Sequence, residues 1–310
     1  MIKRALLAVL LMATTAGEPV SEARSYLDTA LGLLQQHSME SATADWKELR
    51  AEAHRDAAHA RHAADVYPAI RRVITELGNP HTALLASATG GAPAPVRTAP
   101  DGRMIGSAAY LRLPETSSDN GDAYAEAGLR LVRDLAGAGP RGWVVDLRGN
   151  GGGDMHPMLT VVAPLLGEGR TGMFVHPDGR TSDWGVRDGH VHNGDHVVFP
   201  QMEMPVVGRG PVAVLVDGRT ASSGEAVLLS FTGAAGTHSF GEPTTGFATG
   251  NEVFDLPDGA RLAITTMHMA DRTGRTYGNA PIAPQTQVSN SRGSADRVLD
   301  TAIAWLAGRT

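Results

Sequence analysis

A hydroxyl attacks a carbonyl only where a base takes its proton and fixed donors stabilise the oxyanion that forms. Thr220-Ala221-Ser222-Ser223-Gly224-Glu225 offers the first of these parts. It follows Pro211–Val216, an apolar, β-branched run with the pattern of a strand buried on both faces. Asp217-Gly218 breaks that run, and an apolar helical pattern begins at Gly224. A serine at such a join sits at a helix N-terminus, where free N–H groups and the positive dipole end favour developing negative charge. The same letters satisfy a purely structural rule, because Ser222-x-x-Glu225 is a capping box of the kind that opens helices without chemistry.

Two other stretches could complete the chemistry. Arg148-Gly149-Asn150-Gly151-Gly152-Gly153-Asp154 is a glycine-rich turn after the apolar run Gly142–Leu147. It lacks the G-K-[S/T] of a phosphate loop, and its glycine spacing fails the dinucleotide fingerprint. Close backbone approach to a substrate remains, with the amide of Gly151 or Gly152 pointing at an oxyanion; a plain tight turn is the structural alternative. Gly78-Asn79-Pro80-His81-Thr82 ends a helical pattern and delivers one of the twelve histidines to a junction between segments, where a base could meet the serine. His54, His59 and His62 lie among Arg55, Asp56 and Arg61, the pattern of a solvated helix face. His190, His192 and His196 include an H-x-H pair that would put two rings on one strand face, but no acidic ligand is spaced to complete a metal site. No metal and no organic cofactor is implied.

These motifs, in this order, resemble the tail-specific, or C-terminal processing, serine proteases. That family carries a D-x-R-x-N-x-G-G stretch, here Asp146–Gly152, and a T/S-A-S-x-x-E nucleophile turn. It then has a G-E-x-T-x-G-K stretch, here Gly241–Phe247, and a closing segment matched loosely by Ala280–Val288. The sequence departs from the pattern where the catalytic lysine should stand, because Phe247 occupies that place and the whole chain holds only Lys3 and Lys47. The resemblance is therefore to the lysine-free Ser–His branch of the family, which includes the tricorn-type core and the nisin-resistance proteases. It implies an α/β fold: an N-terminal helical bundle, then a ClpP/crotonase-like mixed sheet core with an antiparallel cap insertion, and no PDZ domain. It implies Ser222 as nucleophile with Ser223 as the alternative, and His81 as general base. The oxyanion hole would come from the amides of Gly152 (or Gly151) and Ser223, with Asn150, Met155 and Glu252 lining a peptide groove. Glu252 and Asp271 are the candidate acids for orienting His81. The expected activity is a serine endopeptidase cutting peptides near their C-termini through an acyl-enzyme, on lanthipeptide-like substrates. The same fold also serves non-catalytic binding proteins, so a small-molecule or peptide carrier is the competing expectation, and an esterase on small acyl substrates is a third.

The elements that must position these residues follow from periodicity. At 310 residues the chain can bury a sizeable core. Residues 17–85 read as a helical bundle, with a second helix running to about Ala64. Ala-, Gly- and Pro-rich residues 86–102 read as a linker. Ile105–Leu113 reads as a strand, Asp122–Leu135 as a helix, Gly142–Leu147 as a strand and Pro157–Leu166 as a helix, the alternation of an α/β core. Residues 167–210 read as short strands forming a flap inserted into residues 86–310, and Asp258-Gly259 as a hairpin turn. A net charge of −6 disfavours a nucleic-acid partner. With no cysteine there is no disulfide, thiol nucleophile or lipobox-type anchor. Residues 1–16, with Lys3-Arg4 before a nine-residue apolar run, resemble a secretory signal peptide. The mature protein is expected outside the cytoplasm, or apposed to a membrane if that segment stays uncleaved.

Overall fold

The computed structural model describes residues 19–86, 98–290 and 295–309. Residues 1–16, expected to be a signal segment, and most of the expected linker lie outside them. Three helices open the described chain: α1 (Pro19–His37), α2 (Trp46–Asp56) and α3 (Tyr67–Leu77). Their apolar faces meet in one cluster that includes Leu27, Leu31, Trp46, Leu49, Ile70 and Val73. The second helix stops eight residues short of Ala64. There the Asp65 carboxylate accepts the amides of Arg61 and His62, each at 2.9 Å, and folds the chain into a turn ahead of α3. His59 and His62 are solvent-exposed, as expected of a wet face. Pro68 sits in the first turn of α3, where a missing N–H costs nothing, and Gly78 in the left-handed conformation ends it.

Next come β1 (Ala83–Leu85) and a hairpin of β2 (Asp101–Ile105) and β3 (Ala108–Arg112), turned at Gly106. The strand expected at Ile105–Leu113 is β3, and β2, which begins in the expected linker, pairs with it antiparallel. Then follow α4 (Gly121–Gly137), β4 (Gly142–Asp146), α5 (Met155–Leu166), β5 (Gly169–Val175), β6 (Thr181–Arg187), β7 (His190–Asn193) and β8 (His196–Val197). The chain continues through β9 (Val212–Val216), α6 (Ser223–Phe231), β10 (Thr237–Gly241), β11 (Thr249–Asp255), β12 (Arg261–Asp271), β13 (Thr286–Gln287) and α7 (Arg297–Ala307).

Among the described residues thirteen strands form two sheets. The mixed sheet runs β13-β10-β9-β4-β3-β2, parallel except for the β2–β3 hairpin. Helices α4 and α6 are its crossovers, and β4 and β9 are buried along their whole length, as doubly covered parallel strands must be. The antiparallel sheet runs β1-β12-β5-β6-β7-β8, with β11 along the other side of β12. Residues 167–210 are therefore no free-standing flap: β5 pairs with β12 from His268↔Val175 to Asp271↔Gly172, which makes the segment part of one continuous sheet. Nothing local in the sequence announces that pairing, because β9, α6 and β10 intervene. Trp184 of β6, 1% exposed, fixes this sheet to α6 by donating from Nε1 to Ser230 Oγ at 2.9 Å.

The bundle docks on β12. Leu256, Ala260, Leu262 and Ile264 share its apolar cluster, as does Leu84 of β1. Tyr26 and Tyr67 both donate to the Asp258 carboxylate at the β11–β12 turn. Among the described residues no helix is long and apolar enough to cross a membrane. Leu262→Ala, which empties the bundle–sheet contact, is expected to lower unfolding free energy by about 2–5 kcal/mol. Val253→Ala on the adjacent strand, 54% exposed, should stay within about 0.5 kcal/mol of wild type. Urea denaturation of the two variants checks the difference.

Candidate active site

The ends of β4 and β9 lie side by side, and their turns are laced together. Asp217 Oδ1 accepts the Gly149 amide at 2.9 Å, and Thr220 Oγ1 donates to Leu147 O at 2.9 Å. Ser222 follows as the N-cap of α6, with φ 51° and ψ −115°. Few residues other than glycine hold such a conformation, and it costs about 1–3 kcal/mol. Ser222 is half-buried. Ser223, one residue on, is 6% exposed, and its hydroxyl is already committed to Gly153 O at 2.7 Å. Of the two serines, Ser222 has the strained, accessible setting suited to a nucleophile.

The glycine loop presses against this turn. A Cβ at Gly152 would lie 2.9 Å from Ser222 Cβ and 3.1 Å from the Ser223 nitrogen, and φ there is +106°. Only glycine allows that approach. The Gly152 amide, however, donates to Asn150 Oδ1 at 2.9 Å, so its donor is engaged. The amides of Ser223 and Gly151 find no acceptor among the described residues, so both stay available as donors. Asn150 itself does not line a groove. It is fully buried, donating from Nδ2 to Leu113 O at 2.8 Å while its carbonyl accepts the Ala221 amide at 2.9 Å. It holds the loop and the nucleophile turn in register. Met155, 5% exposed, packs into the core between the sheets and is not a groove residue either. Glu252 is exposed on β11 and accepts from Thr266 Oγ1 at 3.2 Å.

Glu225, in the first turn of α6, is fully buried. Its carboxylate accepts four donors: the amides of Ser222 (2.9 Å), Gly246 (3.0 Å) and Phe247 (2.7 Å), and the Thr244 hydroxyl (2.5 Å). Burial pushes its pKa up, and these four donors work against that rise. Ser222 and Phe247 bond the same oxygen, so their amide nitrogens lie within about 6 Å of each other. The Phe247 ring then stacks on the His81 imidazole, centroids 4.9 Å apart and planes 9° from parallel. Two contacts thus join the serine turn to the histidine.

His81 is fixed from several sides. Its amide donates to Asn79 Oδ1 at 3.1 Å, its carbonyl accepts from Asn251 Nδ2 at 2.9 Å, and its Nδ1 meets Thr249 Oγ1 at 2.7 Å. Neither candidate acid touches it. Asp271 instead organises the turn after β12, accepting from the Thr273 amide (2.8 Å), the Thr273 hydroxyl (2.6 Å) and Tyr277 OH (3.0 Å). The ring neighbour is Thr249, which the sequence reading missed; its one signal is a hydroxyl residue two places after Phe247, where β11 begins. The H-x-H pair gathers no metal site. His190 spends both ring nitrogens on backbone carbonyls, and no group of three metal-ligating side chains forms among the described residues.

Residues 107–288 match the profile of Peptidase family S41. The chain belongs to that family. This serine peptidase is 27% identical over 273 residues to the nisin-resistance protein of Lactococcus lactis subsp. lactis, covering 88% of this chain and 85% of that one. It is 29% identical over 157 residues to the chloroplastic carboxyl-terminal-processing peptidase 2 of Arabidopsis thaliana, covering half of this chain and 27% of that protein. Among solved structures, a lipoprotein from Streptococcus agalactiae superposes with a TM-score of 0.77 at 23% identity, covering 97% of this chain and all of the other. The photosystem II D1 C-terminal processing protease does so at 0.61 and 16% identity, covering 86% and 93%. These two likenesses establish an S41-like fold: N-terminal helices, a mixed sheet and an antiparallel half-barrel sheet. S41 membership makes peptides the substrates.

Two expectations follow from the site. Ser222→Gly removes the backbone strain and should melt higher than Ser222→Ala, the gap corresponding to about 1 kcal/mol, with hydrolysis lost in both; calorimetry checks it. Burial lowers the His81 pKa from 6.5 to about 4. The imidazole therefore stays neutral as pH falls through 6.5, and the acid limb of kcat/KM should lie near pH 4. The sign for stability is the same. His81 contributes fully above pH 6.5 and loses that contribution as pH falls toward 4, where the unfolded chain takes up a proton that the folded one refuses. A pH series of urea midpoints beside the rate profile reads both.

Proposed function

We propose that this S41 peptidase is an exported serine endopeptidase that cuts peptides near their C-termini through a Ser222–His81 dyad, and that lanthipeptides of the nisin kind are its substrates. The observation that carries the reading is the connection Ser222–Glu225–Phe247–His81, which joins a strained serine at a helix tip to a half-buried neutral imidazole. His81 takes the Ser222 proton as Ser222 Oγ bonds the scissile carbonyl carbon. The oxyanion develops toward the Ser223 and Gly151 amides, His81 returns the proton to the departing amine, and water repeats the sequence on the acyl-enzyme. The lanthipeptide assignment rests on the 27% identity to the nisin-resistance protein across most of both chains, and export on the charged and apolar N-terminal segment.

The test pairs a fluorophosphonate probe with a peptide pool that includes nisin. Wild type should label and release C-terminal fragments identifiable by mass spectrometry. Ser222→Ala should not label, and His81→Ala should label at least about 100-fold more slowly. Wild type that neither labels nor cleaves any peptide would establish the carrier reading, and labelling undiminished in Ser222→Ala would remove Ser222 from the nucleophile role.

A further inference from the structure

We infer that Thr249 and Asn279 do for His81 what an acid does in a Ser–His–Asp triad, setting its tautomer through a directed series of neutral hydrogen bonds. This rests on the Ser222–His81 reading above, and it concerns how the base is prepared rather than whether it acts.

The directionality starts at Glu40 on the bundle. A carboxylate only accepts, so Asn79 must turn its Nδ2 toward Glu40 Oε1, which it does at 2.8 Å. Its Oδ1 then faces the other way and accepts the His81 amide at 3.1 Å, an obligate donor that fixes the same orientation independently. That oxygen also accepts Nδ2 of Asn279 at 3.0 Å. Asn279 is thereby oriented too, and its Oδ1 is left to face Thr249. The Thr249 hydroxyl has one proton and donates it to Asn279 Oδ1 across 3.4 Å, the slackest link of the series. A lone pair of Thr249 Oγ1 remains for His81 Nδ1 at 2.7 Å, so Nδ1 carries the ring proton. Nε2 is then the unprotonated nitrogen, the only form that can take a proton from a serine.

A threonine alone would not achieve this. Its hydroxyl could equally donate to Nδ1, which would put the ring proton on Nε2 and disable the base. Asn279 breaks that symmetry. The substitution of neutral groups for an acid also has an electrostatic signature, since nothing bonded to the ring stabilises its protonated form. The charged or titratable groups around it are Glu40 beyond Asn79, Glu225 behind Phe247, Glu252 on β11, and His268, which pairs with Thr249 across β11 and β12. None is a hydrogen-bond partner of the imidazole.

The test uses the full chain with 15N-labelled histidine, so that ring-nitrogen shifts report the tautomer without any substrate; His81→Gln assigns the signal. Wild type should show His81 protonated at Nδ1 at neutral pH, and both Thr249→Val and Asn279→Ala should shift it toward Nε2–H. In parallel, Thr249→Val should slow fluorophosphonate labelling about 100-fold or more, while Thr249→Ser restores it to within about threefold. Thr249→Asp should move the acid limb of the labelling rate upward by at least about one pH unit, because a carboxylate stabilises the imidazolium. A wild-type His81 protonated at Nε2, or a Thr249→Val protein with unchanged tautomer and labelling, overturns the inference. Undiminished labelling of Ser222→Ala would instead sink the nucleophile assignment, and the tautomer spectra would still decide the matter argued here.

Discussion

The buried carboxylate of Glu225 is the interaction on which the rest of the site depends. A carboxylate removed from water needs donors for its lone pairs, and it finds four, from both sides of the cleft. One is the amide of Ser222, whose strained dihedrals persist only because the surroundings over-determine them. Three come from residues 244–247, the loop that ends in Phe247. The capping box is therefore a helix cap and a tie to the 244–247 loop at once. Its glutamate closes back on the serine amide as any cap would, and the remaining lone pairs reach across to the segment that carries the imidazole's stacking partner. Truncating Glu225 would orphan four donors together, a larger disturbance than the loss of one cap.

Phe247 stands where lysine-dependent relatives in the same family pattern place a base. An ammonium there would need polar company, whereas the aromatic ring supplies an apolar wall against His81 and helps exclude water from it. That burial keeps the imidazole neutral, with a pKa near 4, and under the proposed mechanism it makes His81 a weaker base, because proton-transfer driving force falls with basicity. Under the same mechanism an oxyanion would bring negative charge to the ring's side of the site and raise its affinity for the proton, and amides already fixed at the tip of α6 would need no reorganisation to receive that charge.

How much of this was legible in the sequence depended on whether the signal was local. The setting of Ser222 at a helix start and of His81 beyond a helix end was readable because punctuation marks both: a strand, a turn and a helix start for one, a glycine-capped helix end for the other. The alternation of β3, α4, β4 and α5 came through for the same reason. Asn150 and Met155 were placed in the groove because a loop motif gives positions without directions. Their side chains in fact point inward, Asn150 to clamp Leu113 and Met155 into the core. The partnership of β5 with β12, and of Thr249 and Asn279 with His81, rests on contacts between segments far apart in the chain. A single sequence carries no trace of such pairings.

The last requirement is that the bundle bring His81 to one place rather than several. Apolar contact of Leu262 and Ile264 with the helices is strong but non-directional, and would tolerate sliding. Beside it runs a buried polar seam. Thr265 of β12 donates its amide to Thr82 Oγ1 at 3.0 Å and its one hydroxyl proton to Asn251 Oδ1 at 2.8 Å, with Asn79 Oδ1 3.2 Å from the same hydroxyl, while its carbonyl accepts the Met39 amide at 3.1 Å. A shift of one residue would leave these groups buried without partners, each at a cost of about 1–3 kcal/mol. The seam thus turns a greasy contact into a single register, and Asn79, which belongs to it, is also where the orientation of His81 begins. Docking of the bundle and placement of His81 are consequently linked through the same side chains.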